Sequence, residues 1–196
     1  NQTKDDTDID LLASTGISGT ELSVMQSKTL RGFPVKDEVA YEKNTRKAIA
    51  IVTSNKSDDE IKKETKAHYN SFIRPILTSL GAPDKNINAF INNQVEASTK
   101  PWNRYFLKYN PADEFEKLNI PVLSLNGRKD TQVDAKINQT GIKNALIKGK
   151  NKDYKIVELE GLNHFFQECE TGNMNEYRKI DQTFSPIALK EISKWV

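Results

Sequence analysis

The sequence predicts an α/β fold of about three parallel strands with flanking helices and a long helical insertion. Three observations carry this. Two apolar runs, residues 120–125 and 154–159, each end in a polar tip, Asn126-Gly127-Arg128-Lys129-Asp130 and Glu160-Gly161-Leu162-Asn163-His164. A segment of helical period, residues 133–148, lies between them, and a strand–helix–strand unit brings its two strands together in parallel. A third apolar run, residues 9–13 (Ile-Asp-Leu-Leu-Ala), stands far upstream and is separated from the others by sequence of helical character.

Taken in order, the chain opens on an acidic lead expected to be disordered, then the first strand, then a turn at Ser14-Thr15-Gly16-Ile17-Ser18-Gly19. Residues 21–31 read as a helix, with Leu22, Met25 and Leu30 on one side, stopped by Gly32-Phe33-Pro34. From residue 37 to about 109 everything looks helical. Val39, Ile49, Ala50 and Val52 pattern one helix. Ser57-Asp58-Asp59-Glu60 is a capping box, in which a hydroxyl and a carboxylate satisfy free amides reciprocally. Ile61, Tyr69, Phe72, Ile73, Ile76 and Leu80 follow at helical spacing. Pro75 within that run is expected to kink or break it, and Gly81-Ala82-Pro83 closes it. Ile87, Phe90, Ile91, Gln94 and Val95 mark a further helix, Trp102, Tyr105, Phe106 and Tyr109 an aromatic cluster, and Asn110-Pro111 leads into a short helix over 112–118. Where loops in α/β folds run ~2–6 residues, a helical block of roughly seventy is an insertion with its own packing, in the position of a lid above a sheet edge. The division expected is residues 1–20 for the first strand, 21–110 for the helical cap and 111–196 for the rest of the α/β core.

The crossover helix, residues 133–148, should turn Ile137, Ile142, Ala145 and Leu146 inward and stop at Gly149, with Gly141 costing it some stability. Residues 154–159 form the third strand and 165–182 are irregular. Ser185-Pro186 starts the last helix, a hydroxyl cap followed by proline in the first turn, carrying Ile187, Ile192, Trp195 and Val196.

Composition narrows the function. Charged residues make up 29% of the chain and the net charge is +2, with lysines interleaved among acids, so nucleic-acid binding has no support. No run approaches the ~20 apolar residues of a membrane span. The single cysteine, Cys169, excludes an intrachain disulfide and a cysteine-rich metal site. No His/Asp/Glu cluster has ligand spacing, so neither metal nor other cofactor is expected. At 196 residues the chain makes one domain, or a domain with an insert. It begins at Asn1 with a polar Gln-Thr-Lys-Asp-Asp lead, so the native start is expected to have been processed or trimmed, and the compartment, cytoplasmic or exported, stays open.

Parallel strands finish at the same end, so Asp130 and His164 are expected just past the carboxyl ends of neighbouring strands, where open α/β sheets place their sites. They lie 34 residues apart, about one helix, one strand and their turns. An aspartate and a histidine delivered to one edge are the orienting acid and the general base of a nucleophilic triad. Taken singly, Asp130 reads equally as a turn or helix-cap residue and His164 as a packed loop residue. His68, mid-helix, reads as a surface or lid histidine, and Lys148, Lys150 and Lys152 as a solvated basic turn. The nucleophile is harder to place. Gly16-Ile17-Ser18-Gly19-Thr20 approaches the Gly-x-Ser-x-Gly elbow and follows a strand, but Thr20 stands where the second glycine belongs and would crowd the strand–helix packing. Ser14 fits less well still.

Three stretches together resemble the carboxyl-terminal half of an α/β-hydrolase of the serine esterase/peptidase-like group, from about Ile9 to Val196. They are Trp102-x-x-Tyr105-Phe106-Leu107-x-Tyr109-x-Pro111-Ala112, Ile120-Pro121-Val122-Leu123-x-Leu125-Asn126-Gly127-x-x-Asp130-x-Gln132-Val133, and Gly161-Leu162-Asn163-His164-x-Phe166-Gln167 followed by Phe184-Ser185-Pro186. The resemblance implies a partial α/β-hydrolase fold, with a helical cap between its sixth and seventh strands. It implies triad roles for Asp130 and His164, substrate contact at Trp102 and Val133, and hydrolysis of a small-molecule acyl substrate. In that group the elbow serine lies upstream of the strand that residues 9–13 resemble. The chain is therefore expected to be a fragment without its nucleophile, inactive alone as an esterase. Trp102, Tyr105 and Phe106 line an acyl pocket or form the lid's own core. The competing expectation is a non-catalytic α/β interaction module. A three-stranded parallel sheet leaves an edge unpaired, which a homodimer would cover.

Overall fold

A computed structural model describes residues 8–195; the acidic lead and Val196, to which the sequence assigned disorder and a place in the last helix, lie outside them. The described residues divide into two compact units, one holding the chain up to Ser18 and from Asn110 onward, the other Gly19–Tyr109.

The first unit is built on a parallel sheet of order β1-β2-β3. Its strands are β1 (Ile9–Leu12), β2 (Val122–Gly127) and β3 (Tyr154–Leu159). Ile9 pairs with Val122 and Leu12 with Leu125, while Val122 to Gly127 run beside Tyr154 to Leu159. β2 is central and buried along its whole length, which explains why its sequence runs apolar rather than alternating. Its two faces enter different clusters. Leu123 and Leu125 pack with Leu159, Leu162, Phe166 and Ala188 of the last helix. Val122 packs with Ile142 and Leu146 of α7 (Ala135–Lys148), the crossover between β2 and β3, while the short α6 (Ala112–Phe115) precedes β2. α8 (Pro186–Trp195) starts after Ser185, whose Oγ accepts from Ile187 N.

Several helical details differ from expectation. Ile137 is 45% exposed, so it does not join the inward face assigned to it, and Ile187 of the last helix is 51% exposed. The inward face of α7 instead carries Asn138 and Gln139 beside Ile142, Ala145 and Leu146. α7 ends at Gly149 with an ordinary helical φ of −71°, and the left-handed residue is Lys150 at φ 62°. Gly141 earns its place by proximity: a β-carbon there would lie 2.1 Å from the Gly16 carbonyl oxygen, and one on Gly16 would lie 1.9 Å from that of Asn138. The turn after β1 thus sits directly on the α7 backbone, held by Gly16 N donating to Asn138 Oδ1 at 2.9 Å.

The second unit is all helical: α1 (Gly19–Thr29), α2 (Glu38–Val52), α3 (Asp58–Ser79), α4 (Asp84–Ser98) and α5 (Pro101–Lys108). Its core is Tyr41, Ile73, Leu77, Ile87, Ile91 and Val95. The capping box at Ser57 forms, with Glu60 accepting from Ser57 N at 3.0 Å. α3 continues through Pro75 without breaking; the missing proline N–H leaves one helical bond unmade, and packing of Ile73 and Leu77 on either side into the core offsets it. His68 is 7% exposed rather than on the surface, its Nε2 lying 2.8 Å from the Asn44 carbonyl, so it ties α3 to α2. The aromatic cluster is not this unit's core. Trp102 is 71% and Tyr105 67% exposed, and Trp102 stacks on Phe106 at 5.4 Å.

Candidate functional site

The register places the ends of β2 and β3 side by side, with Gly127 opposite Leu159. The two loops that follow are then joined by backbone bonds: Arg128 N donates to Leu159 O and Lys129 N to Leu162 O, both at 2.9 Å. A β-carbon on Gly127 would fall 2.2 Å from Leu162 O and 2.6 Å from Asn163 O. Only glycine lets the loops come this close.

Within the first loop Asp130 is 6% exposed, with its side chain fully covered. Its Oδ1 accepts from the N–H groups of Gln132 and Val133, each at 2.8 Å. The Val133 carbonyl accepts from Asn126 Nδ2 at 2.9 Å, which closes the loop at its base. Two amides thus occupy one carboxylate oxygen and aim the other. Oδ2 lies 2.8 Å from His164 Nδ1. The pair named from strand-end positions alone is in direct contact.

His164 is held as firmly. Gly161 turns the chain at φ 76°, and Asn163, fully buried, organises the rest of the loop. Its Oδ1 accepts from Phe165 N and Gln167 N, and its Nδ2 donates to Gln167 Oε1. Phe166 takes a left-handed φ of 58°, a strain its 3% exposure and the Ser185 N to Phe166 O bond hold in place. The irregular segment beyond is pinned back by Gln167 Nε2 donating to Gln182 O and by Lys129 Nζ donating to the Cys169 and Glu170 carbonyls. The sequence reading missed Asn126, Asn163 and Gly127. Each matters through a partner distant in sequence, and only the glycine of the Gly-x-x-Asp pattern was a signal.

An acceptor carboxylate at Nδ1 requires the proton there, so a neutral ring presents an unprotonated Nε2. Among the described residues that Nε2 makes no hydrogen bond, and the side chain is 24% exposed. Beside it opens a cleft of about 570 Å³, bounded by Leu12 and Ala13 at the end of β1, by His164 and Phe166, and by Gln182 and Phe184. Such a pair, with its tautomer set by the carboxylate, can act as a general base.

Val133 is 7% exposed and meets Asp130 through its backbone, while Trp102 belongs to the helical unit. Ser18 immediately precedes α1 and is not among the non-glycine residues with positive φ, so its turn is not the strained elbow of a hydrolase nucleophile. Cys169 does not serve either. Burial holds its thiol above the usual range, and its Sγ donates to Gly161 O at 3.4 Å. A thiol kept protonated is a poor nucleophile, so Cys169 is expected to react with iodoacetamide at pH 7.5 several-fold more slowly than free cysteine. A rate above that of free cysteine would contradict this assignment. Burial likewise raises the Tyr177 phenol, which accepts from Gln132 Nε2 at 3.2 Å and packs edge-on against Phe165.

Among the described residues no group of three or more His, Cys, Asp and Glu side chains could hold a metal ion, and no helix is long and apolar enough to cross a membrane. No family model matches the chain, and neither a curated protein nor a solved structure is significantly similar to it.

Proposed function

We propose that the chain carries the acid–base half of a serine hydrolase acting on carboxylic esters, in the manner of the α/β-hydrolases its motifs resemble. The observation that supports this reading is the 2.8 Å contact between a buried, amide-anchored Asp130 and the Nδ1 of a partly exposed histidine. On this reading a hydroxyl from outside the described residues attacks the acyl carbonyl while His164 Nε2 takes its proton. The same proton goes to the departing alkoxide, and water repeats the exchange to release the acid. Asp130 keeps the ring in the productive tautomer and stabilises the imidazolium that forms. The helical unit takes the role of lid, with exposed Trp102 as its substrate contact. Val133 contributes through the backbone that holds Asp130.

The test uses two proteins, the 196-residue chain and the product of the complete open reading frame. The reading expects the chain alone neither to hydrolyse p-nitrophenyl acetate nor to take a fluorophosphonate label. It expects the full product to do both, with labelling dependent on His164. Hydrolysis by the chain alone that is lost in His164→Ala and in Ser18→Ala would overturn the split. An inactive, unlabelled full product would overturn the enzyme.

A second reading, a non-catalytic module that dimerises, draws on one feature: among the described residues β1 pairs only with β2, leaving its other edge unpaired, with Leu12 41% exposed. Light scattering behind size exclusion separates the two, since a stable dimer broken by Leu12→Lys belongs to the second alone.

A further inference from the structure

The helical unit has a half-open cleft between its helices. It measures about 520 Å³ and is walled by all five helices, α1 through α5, and by the connection before α2. A volume of this size falls within the ~300–1,000 Å³ of small-molecule sites. The walls combine aromatic rings with neutral polar side chains such as Ser27, Gln94 and Asn103. Phe33, Tyr41, Tyr69, Phe72 and Phe90 line it, and all but Tyr41 are only partly buried, so ring surface faces open space. The rings brace one another edge-on, Phe33 against Tyr41 at 6.3 Å and Phe90 at 6.1 Å, and Tyr41 against Phe72 at 6.0 Å.

Polar ties join the helices of the bundle. Arg46 joins Glu21 at 2.6 Å, fixing α2 to α1. Lys62–Glu96 and Arg74–Asp84 fix α3 to α4. Arg104 of α5 donates to the Val52 carbonyl at the end of α2 and pairs with Asp58 at the start of α3.

The lining also defines the occupant. Arg31 is the one charged residue of the described wall; its guanidinium is paired with Glu38 and lies over the Tyr41 ring, 5.1 Å from the centroid. Tyr41 and Tyr69, like Ser23, Thr45 and Ser98, add only neutral hydroxyls to the wall. A charged guest would surrender its hydration and meet no free counter-charge. We infer that this cleft is a binding site for an uncharged, largely apolar small molecule, an aryl or alkyl compound gripped between the rings. The inference goes beyond the hydrolase reading and does not depend on it, since every residue named lies in Gly19–Tyr109.

The experiment titrates the 196-residue chain with N-phenyl-1-naphthylamine, an uncharged probe that fluoresces when desolvated. The expected result is saturable one-to-one binding and a melting temperature that rises with probe concentration. The sulfonated analogue 8-anilino-1-naphthalenesulfonate should bind at least tenfold more weakly. Ala48→Phe and Ser23→Phe, which fill the cleft from α2 and α1, should each weaken probe binding at least tenfold at unchanged helical content. If one of them unfolds, the other decides. His164→Ala should bind the probe as the parent chain does, so failure of the hydrolase leaves this result standing. Non-saturable partition of the probe, equal affinity for the sulfonate, or parental binding by a folded filling variant would overturn the site.

Discussion

Asp130→Ala is expected to lower the stability of the chain by about 3–6 kcal/mol, the sum of its two charge-assisted bonds from backbone amides at ~1.5–3 kcal/mol each. Three donors lose their acceptor together: the amides of Gln132 and Val133 and the Nδ1 of His164. The Val133 amide lies where water does not easily reach, since the residue is 7% exposed. Asp130→Asn separates structure from chemistry. Its carbonyl oxygen can still accept from both amides, so stability should fall by only about 1–2 kcal/mol. Its amide nitrogen then faces Nδ1, and a donor there forces the ring's proton onto Nε2, which disables the base. In the protein that carries the nucleophile, both substitutions should therefore reduce ester hydrolysis by about four powers of ten. Urea denaturation of the two variants beside their turnover measures each effect. A stable, active Asp130→Asn would remove aspartate from the mechanism.

Gly127→Ala should cost about 3 kcal/mol, the upper part of the range for forced overpacking. Its β-carbon would sit 2.2 Å from a backbone carbonyl, which cannot rotate away as a side chain can. The two loops would have to part, breaking the bond from Lys129 N to Leu162 O and drawing Asp130 away from His164. Gly161→Ala is the control: at φ 76°, with nothing within 4 Å of the added carbon, it meets left-handed backbone strain alone, about 1–2 kcal/mol. Equal losses in the two variants, read by urea midpoint, would show that close approach is not what Gly127 provides.

Much of the architecture was legible because it rests on local chemistry. The capping box at Ser57, the buried run of β2 and the glycine-terminated loops follow from residue type and spacing, and parallel pairing then places Asp130 and His164 at one edge without further information. What was not legible depends on distant partners. His68 looks like a surface residue until the Asn44 carbonyl meets its ring. Ile137 fits a helical stripe, yet Asn138 and Gln139 are buried in its place, Asn138 against the Gly16 turn. Pro75 follows the local rule for a helix break, and the packing around it overrides that rule. Asn163 is a loop asparagine by sequence and the centre of the histidine loop by its hydrogen bonds. Trp102 and Tyr105 have the composition of a core and the exposure of a surface.

The most direct test of the acid–base pair requires no substrate. In chain labelled with ¹⁵N at histidine, the imidazole nitrogens of His164 report which one carries the proton at neutral pH. The account predicts a protonated Nδ1 with a downfield proton resonance, an unprotonated Nε2, and exchange of the two in Asp130→Asn. A protonated Nε2 in the unaltered chain, or a tautomer indifferent to Asp130→Asn, would contradict it.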